Sequence, residues 1–208
     1  MSSKSWRRIV ARIPAIEREH LDPELAAVLA AGDLSWVEEA SIGVIGRAPH
    51  MLKAIGQFEA IAMKGAQLPR RLIELVRLRV AFHNQCRTCM AVRHQSAIDD
   101  GLTEELVCSL ERPMEAPNLN EREKAALQYA DLFATNHFAI NDDTYASLRQ
   151  HFCDAEIVEL GVFVGYFTGM GRFMASLDIT EQLPGVYREK SRKVGPWESS
   201  QSVLLHDV

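Results

Sequence analysis

The chain has 208 residues, 47% hydrophobic and 25% charged, with a formal net charge of −5, enough for one domain with a well-buried core or two small helical halves. The negative balance gives no reason to expect a nucleic-acid or anionic-membrane partner, since those favour basic patches, and no apolar run approaches the roughly 20 residues that span a bilayer. The opening segment, Met1 to Pro14, carries Arg7, Arg8 and Arg12 but lacks the apolar core and cleavage site of a signal peptide, so the expected compartment is the cytoplasm.

Helix signals follow one another along the chain and strand signals are nearly absent. A leading arm runs to about Pro14, and Asp22-Pro23-Glu24 reads as a helix start with proline in the first turn. Pro49 to Gly65 predicts a second helix, with Leu52, Ile55, Phe58, Ile61 and Ala62 spaced for one face. Pro69 opens a third that continues to about His83, Asn84-Gln85 breaks it, and a fourth helix is expected from Cys86 to a cap at Gly101. Thr103 to Leu110 is a short fifth, and Glu111 to Leu119, with two prolines, is a loop. Asn120 with Glu123 forms a capping-box pattern for a helix towards Thr135. Asn141-Asp142-Asp143 caps the next, ending near Phe152, and Asp154 caps a long last helix to about Ser176. From Ser191 the chain is polar, contains Gly195-Pro196, and is expected to be a loosely held tail. The expected organisation is an arm with a short helix over 1–44, a helical domain over 45–180 and a tail over 181–208.

Leu72-Ile73-Glu74-Leu75 recurs 85 residues later as Ile157-Val158-Glu159-Leu160, and the same offset aligns Phe82 with Phe167, Cys86 with Gly171 and Arg87 with Arg172. The match reads as a decayed internal duplication of a helix-hairpin unit, the competing explanation being coincidence between two amphipathic helices. The run Phe163, Phe167 and Phe173 with Gly161, Gly165, Gly169 and Gly171 reads as close helix packing or an oligomer contact.

Two of the four cysteines form Cys86-Arg87-Thr88-Cys89. In a reducing compartment such a CxxC is a redox or metal site rather than part of a disulfide framework. At a helix N-terminus the first sulfur meets the positive end of the helix dipole, which favours its thiolate, and the second lies one turn on, within bridging reach. Cys108 and Cys153 are isolated and read as buried, inert thiols. Glu74 stands twelve residues before Cys86. In an antiparallel helix hairpin turning at Asn84-Gln85, Glu74 comes level with Arg93 and His94. Cys89 and Arg93, four residues apart, would share a helix face, so that a carboxylate, a cation and a thiol converge. The Arg70-Arg71 and Arg77-Arg79 pairs read as a solvated or interface face, with one of them available to pair with Glu74.

Glu74, eleven residues, Cys86-x-x-Cys89 and the downstream Ala97-Ile98-x-x-Gly101-Leu102-Thr103-x-Glu105 resemble the core of AhpD-like alkylhydroperoxidases of the carboxymuconolactone decarboxylase family. Glu121 to Ala130 (EREKAALQYA) and Ile157 to Leu160 add to the likeness, which covers roughly residues 45–180. The resemblance implies an all-α antiparallel helical bundle that forms homo-oligomers. It also implies a dithiol that reduces a small hydroperoxide or disulfide substrate and is recycled by a thiol or dihydrolipoyl reductant, with no bound cofactor and no metal. By position, Cys89 would attack the peroxide, Cys86, the more exposed, would resolve the intermediate and meet the reductant, and Glu74 would belong to the proton relay.

The chain departs from that pattern. Where the family places a histidine four residues after the second cysteine, this chain has Arg93, and between the cysteines it has Thr88. Arginine stays protonated and cannot act as a base, although it could stabilise a Cys89 thiolate and pair with Glu74. His94 is one residue late, about 100° round a helix, and replaces the missing base only if the helix is locally distorted. His83 is a further candidate. A zinc site from His83, Cys86, Cys89 and His94 is disfavoured because a helix start can hardly wrap four such close ligands around a tetrahedron. A lactone decarboxylase would not need the dithiol, and a non-catalytic oligomeric binding protein would not need Glu74 beside it.

Overall fold

A computed structural model describes residues 11–31 and 34–206; the part of the leading arm with Arg7 and Arg8 lies outside the described residues. The helices are α1 (Pro23–Ala31), α2 (Trp36–Ile45), α3 (Pro49–Gly65), α4 (Arg70–Asn84), α5 (Arg87–Ala91), α6 (Gln95–Asp99), α7 (Glu104–Ser109), α8 (Glu121–Asn136), α9 (Asp142–Leu148), α10 (Asp154–Leu177) and α11 (Gly185–Arg188). Between α5 and α6 lies a three-residue strand, β1 (Val92–His94), paired in parallel with β2 (Val203–Leu205). The chain is all-α, as expected, apart from this small pairing.

The bundle is organised around α4, which packs between α8 and α10. Leu75, Val76, Leu78 and Val80 are completely buried, each adding about 1.5–3 kcal/mol of apolar burial. Such all-round burial makes α4 the central helix rather than an amphipathic surface one. It ends at Gln85, whose left-handed conformation (φ 50°) lets its N–H reach back to Ala81 and Phe82 carbonyls and reverses the chain. The long α10 lies across α4, and the arm is stitched to its far end, Arg12 donating to the carbonyls of Leu177 and Ser176.

Capping explains most boundaries. The Asn120–Glu123 box opens α8, and Asn141 caps α9 through the Thr144 N–H. A third box, Ser35 with Glu38, opens α2, a helix within the stretch expected to be arm and short helix. Helix α10 opens after Cys153, whose N–H goes to Glu156, so Asp154 is its first residue rather than its cap.

Three expectations are corrected. The helix foreseen from Cys86 to Gly101 is broken at β1. Arg77 donates to the carbonyls of Cys89 and Val92, and Arg93 to those of Met90 and Val92. Two guanidinium groups thus take carbonyls that a continuous helix would pair with amides four residues on. The foreseen loose tail is tied down: Val194, Gly195 and Pro196 are buried and Trp197 packs on Phe82 at 4.7 Å. A side chain at 195 would put its Cβ 2.2 Å from the Trp197 ring, so only glycine lets the indole fold back here. Cys108 and Cys153 are exposed, not buried. Leu106, Val107 and Leu110 form the inward face of α7 and leave Cys108 outside, while Cys153 stands at a helix start.

Helix α3 has no buried residue. Its Met51, Phe58 and Ile61 are exposed, as are Val158 and Val162 of α10, and Tyr166 of α10 donates to Glu59 of α3 at 2.6 Å.

Candidate active site

Cys86 and Cys89 are joined by a disulfide at the turn from α4 into α5, with an S–S distance of 2.11 Å and Cα atoms 5.2 Å apart. Cys86 caps α5, its sulfur accepting the Cys89 N–H at 3.3 Å. It is wholly buried, whereas Cys89 is half-buried against a cluster that includes Leu183, Tyr187 and Val194. The sulfur expected to be the more exposed is therefore the less exposed.

Glu74 lies one turn before Arg77 on α4, and the pair forms a two-pronged bridge at 2.7 and 2.6 Å. Glu74 is 3% exposed. Burial pushes its carboxyl up, but the Arg77 guanidinium, with smaller help from His94 and Arg93, more than reverses this and holds it below the usual glutamate range. The carboxylate therefore stays charged at neutral pH. The same guanidinium donates to the Cys89 carbonyl at 2.8 Å and to the Val92 carbonyl at 2.9 Å. It converts a buried negative charge into an anchor for the end of the dithiol turn.

Arg93 does not share a face with Cys89, because β1 has turned it away. Its side chain, 1% exposed, bridges to Glu104 and donates to the carbonyls of Met90, Val92 and Pro196. His94 also leaves the helical path; it is half-buried on β1 and its charge acts on Glu74. The distortion on which a role for His94 was conditional is present. His83 is engaged elsewhere, bonded to Asp131 at 2.6 Å beside a two-pronged Arg79–Asp131 bridge. The Asp131 carboxyl, pushed up by burial, is held low by His83 and Arg79. Among the described residues no three His, Cys, Asp or Glu side chains are grouped as a metal site would require.

The structure thus links Glu74 to the dithiol turn through Arg77 and directs the Arg93 side chain to Glu104 and Pro196. Arg77 takes the place foreseen for Arg93. Its signal was its position three residues after Glu74, on the same helical face; nothing local distinguished it from its neighbours Arg70, Arg71 and Arg79. No sequence signal marks the tethering roles of Gln85 and Thr88. Gln85 clamps the backbone of Val194 from both sides at 3.1 Å, and Thr88 donates to the Ile179 carbonyl at 2.7 Å.

Comparison with known proteins bears on the fold. Residues 49–132 match the carboxymuconolactone decarboxylase family. Two uncharacterized proteins of Mycobacterium tuberculosis, from strains H37Rv and CDC 1551, are each 43% identical over 89 residues, 42% of this chain. The chain spans about a third (31%) of the length of these curated relatives. A crystal structure from Agrobacterium tumefaciens, of a protein of unknown function assigned to antioxidant defence as an AhpD candidate, is 26% identical with a TM-score of 0.57, over 67% of this chain and 94% of that one. An alkylhydroperoxidase AhpD core from Ralstonia eutropha JMP134 shares the fold at a TM-score of 0.65 and 15% identity, over 88% of this chain and 96% of that one. So does the debrominase Bmp8, at 0.65 and 17%, over 84% and 92%. With its dithiol at the turn of a buried helical hairpin, the chain shares the fold of AhpD-like proteins, and its residues 49–132 match the carboxymuconolactone decarboxylase family.

Proposed function

We propose that the protein is a dithiol oxidoreductase that reduces a small hydroperoxide through Cys89 and Cys86. The observation that carries this reading is the bridged Cys86–Cys89 pair, seated at a helix start with its second carbonyl held by the Glu74–Arg77 couple. In the reduced protein the Cys89 thiolate attacks one peroxide oxygen. The O–O bond breaks, the alkoxide leaves and takes a proton as an alcohol, and Cys89 carries a sulfenic acid. Cys86 then attacks the Cys89 sulfur and expels hydroxide, which leaves as water, and the disulfide closes. A thiol or dihydrolipoyl donor returns two electrons by exchange. The sulfurs carry the electrons themselves, so the cycle requires no bound cofactor.

Proton handling differs from the pattern the family resemblance implies. Arg93 is committed to Glu104 and three carbonyls, and Glu74 is committed to Arg77. His94, carried off the helical path by β1, is the side chain we assign to take the Cys89 proton. The exposed apolar side chains of α3 and α10 support assembly into a homo-oligomer.

The test is steady-state consumption of cumene hydroperoxide with dihydrolipoamide as donor. Turnover is expected in the wild type, a loss of about tenfold or more in His94→Asn, the lower end expected for losing a general base, and none in Cys89→Ser. Turnover that survives Cys89→Ser would remove the dithiol from the chemistry.

A further inference from the structure

The two sulfurs differ in their surroundings in a way the peroxide reaction alone does not require. Cys86 is completely buried and Cys89 is not. The residues flanking Cys86 are fastened to the C-terminal segment. Gln85 donates to and accepts from the backbone of Val194, and Arg87 donates to the Arg192 carbonyl at 2.8 Å. One residue further on, Thr88 holds the Ile179 carbonyl, and Arg93 and Tyr187 both hold the Pro196 carbonyl. The parallel pairing of β1 with β2 continues the seam. Residues 179–205 therefore form a strap anchored on both sides of Cys86.

We propose that both halves of the redox cycle reach the dithiol through Cys89, and that Cys86, completely buried in a turn fastened through Gln85 and Arg87, stays an internal partner that the electron donor does not touch. This rests on the redox reading above and reverses the role that the family resemblance assigns to Cys86. The donor's first thiolate attacks the Cys89 sulfur, and the Cys86–Cys89 bond breaks. Its electron pair leaves on Cys86, whose sulfur already accepts the Cys89 N–H. The donor's second thiolate then attacks the donor sulfur of the mixed disulfide, closing the oxidised donor and releasing Cys89. The two protons lost by the donor end on Cys86 and Cys89. Exchange rates follow both thiolate character and access, and here access selects the sulfur. A bulky protein donor would need only the half-open side of Cys89.

The test uses the full chain with Cys108 and Cys153, both exposed, replaced by serine. In that background, reaction of 5,5′-dithiobis(2-nitrobenzoate) with Cys89 alone (Cys86→Ser) is compared with its reaction with Cys86 alone (Cys89→Ser). Cys89 is expected to react about tenfold faster or more, as access governs exchange. Peptide mapping of the fully reduced protein after brief iodoacetamide treatment gives the same comparison with both sulfurs present, and label is expected on Cys89. Equal reactivity, or label first on Cys86, would overturn the proposal. These readings use no peroxide, so failure to turn over hydroperoxide would overturn the peroxidase reading while leaving the order of access separately measured.

Discussion

Helices α4 and α10 carry the same four-residue pattern and pack against each other, yet they do different work. In α4 the glutamate, Glu74, is buried, bridged to Arg77, and supports the dithiol turn. In α10 its counterpart Glu159 is half-buried and accepts the backbone N–H groups of Gln67 and Leu68, capping the approach to α4. Where the first segment has Cys86, the second has Gly171, and a Cβ there would lie 2.5 Å from the Asn84 side-chain nitrogen. Asn84 in turn donates to the carbonyls of Phe167 and Thr168. The α10 segment thus braces the turn on which the α4 segment displays its cysteines. A shared pattern fixes shared helical geometry, while burial and the nearest cation decide which carboxylate supports the dithiol turn.

The contrast is broken most severely at Glu74. Glu74→Gln strands Arg77 without its counter-charge and should cost about 3–5 kcal/mol, whereas Glu159→Gln, which leaves an amide oxygen for the same two N–H groups, should cost about 1 kcal/mol. Urea unfolding of both variants checks this, and equal losses would mean that the two carboxylates are equivalent. The sign with pH follows from the lowered Glu74 value. Its contribution is fully present above the ordinary glutamate value of 4.5 and is lost as pH falls through the folded value. The stability gap between wild type and Glu74→Gln should therefore narrow below about pH 4.5.

Arg93→His restores the residue that the family resemblance calls for. It should not raise peroxide turnover, because position 93 faces Glu104 and Pro196 rather than Cys89. It should lower stability by about 3 kcal/mol, since several buried hydrogen bonds are lost. A gain in turnover without loss of stability would show that the position faces the dithiol. The smallest effects lie along α10. Gly171→Ala should cost about 1–2 kcal/mol by displacing Asn84. Gly169→Ala, with nothing within 4 Å of the added carbon, should gain up to about 1 kcal/mol from helix propensity. Thermal melts of the two variants should therefore move in opposite directions.

Much of this was legible in the chain. The capping boxes at Asn120 and Asn141, the prolines at the starts of α3 and α4 and the Gln85 turn carry their geometry in a few neighbouring residues. The spacing from Glu74 to Cys86 placed the carboxylate near the dithiol. The break at β1 was not legible, because it depends on Arg77 and Arg93 reaching carbonyls that a helix would otherwise use. The same is true of the strap. Val194-Gly195-Pro196 looks like a flexible tail until Gln85 and Arg93, about a hundred residues earlier, take up its backbone groups. The relative exposure of the two cysteines is set by tertiary packing, so sequence spacing could not rank them.

The account stands most directly on a single-turnover measurement: stopped-flow loss of thiols when the pre-reduced protein, with Cys108 and Cys153 changed to serine, meets one equivalent of cumene hydroperoxide. It predicts that two thiols disappear together in this background, with a disulfide between Cys86 and Cys89 recovered by peptide mapping, and that Cys86→Ser stops at a sulfenic acid on Cys89. Thiols that persist after the peroxide is added, in a protein whose unfolding is unchanged, would contradict it.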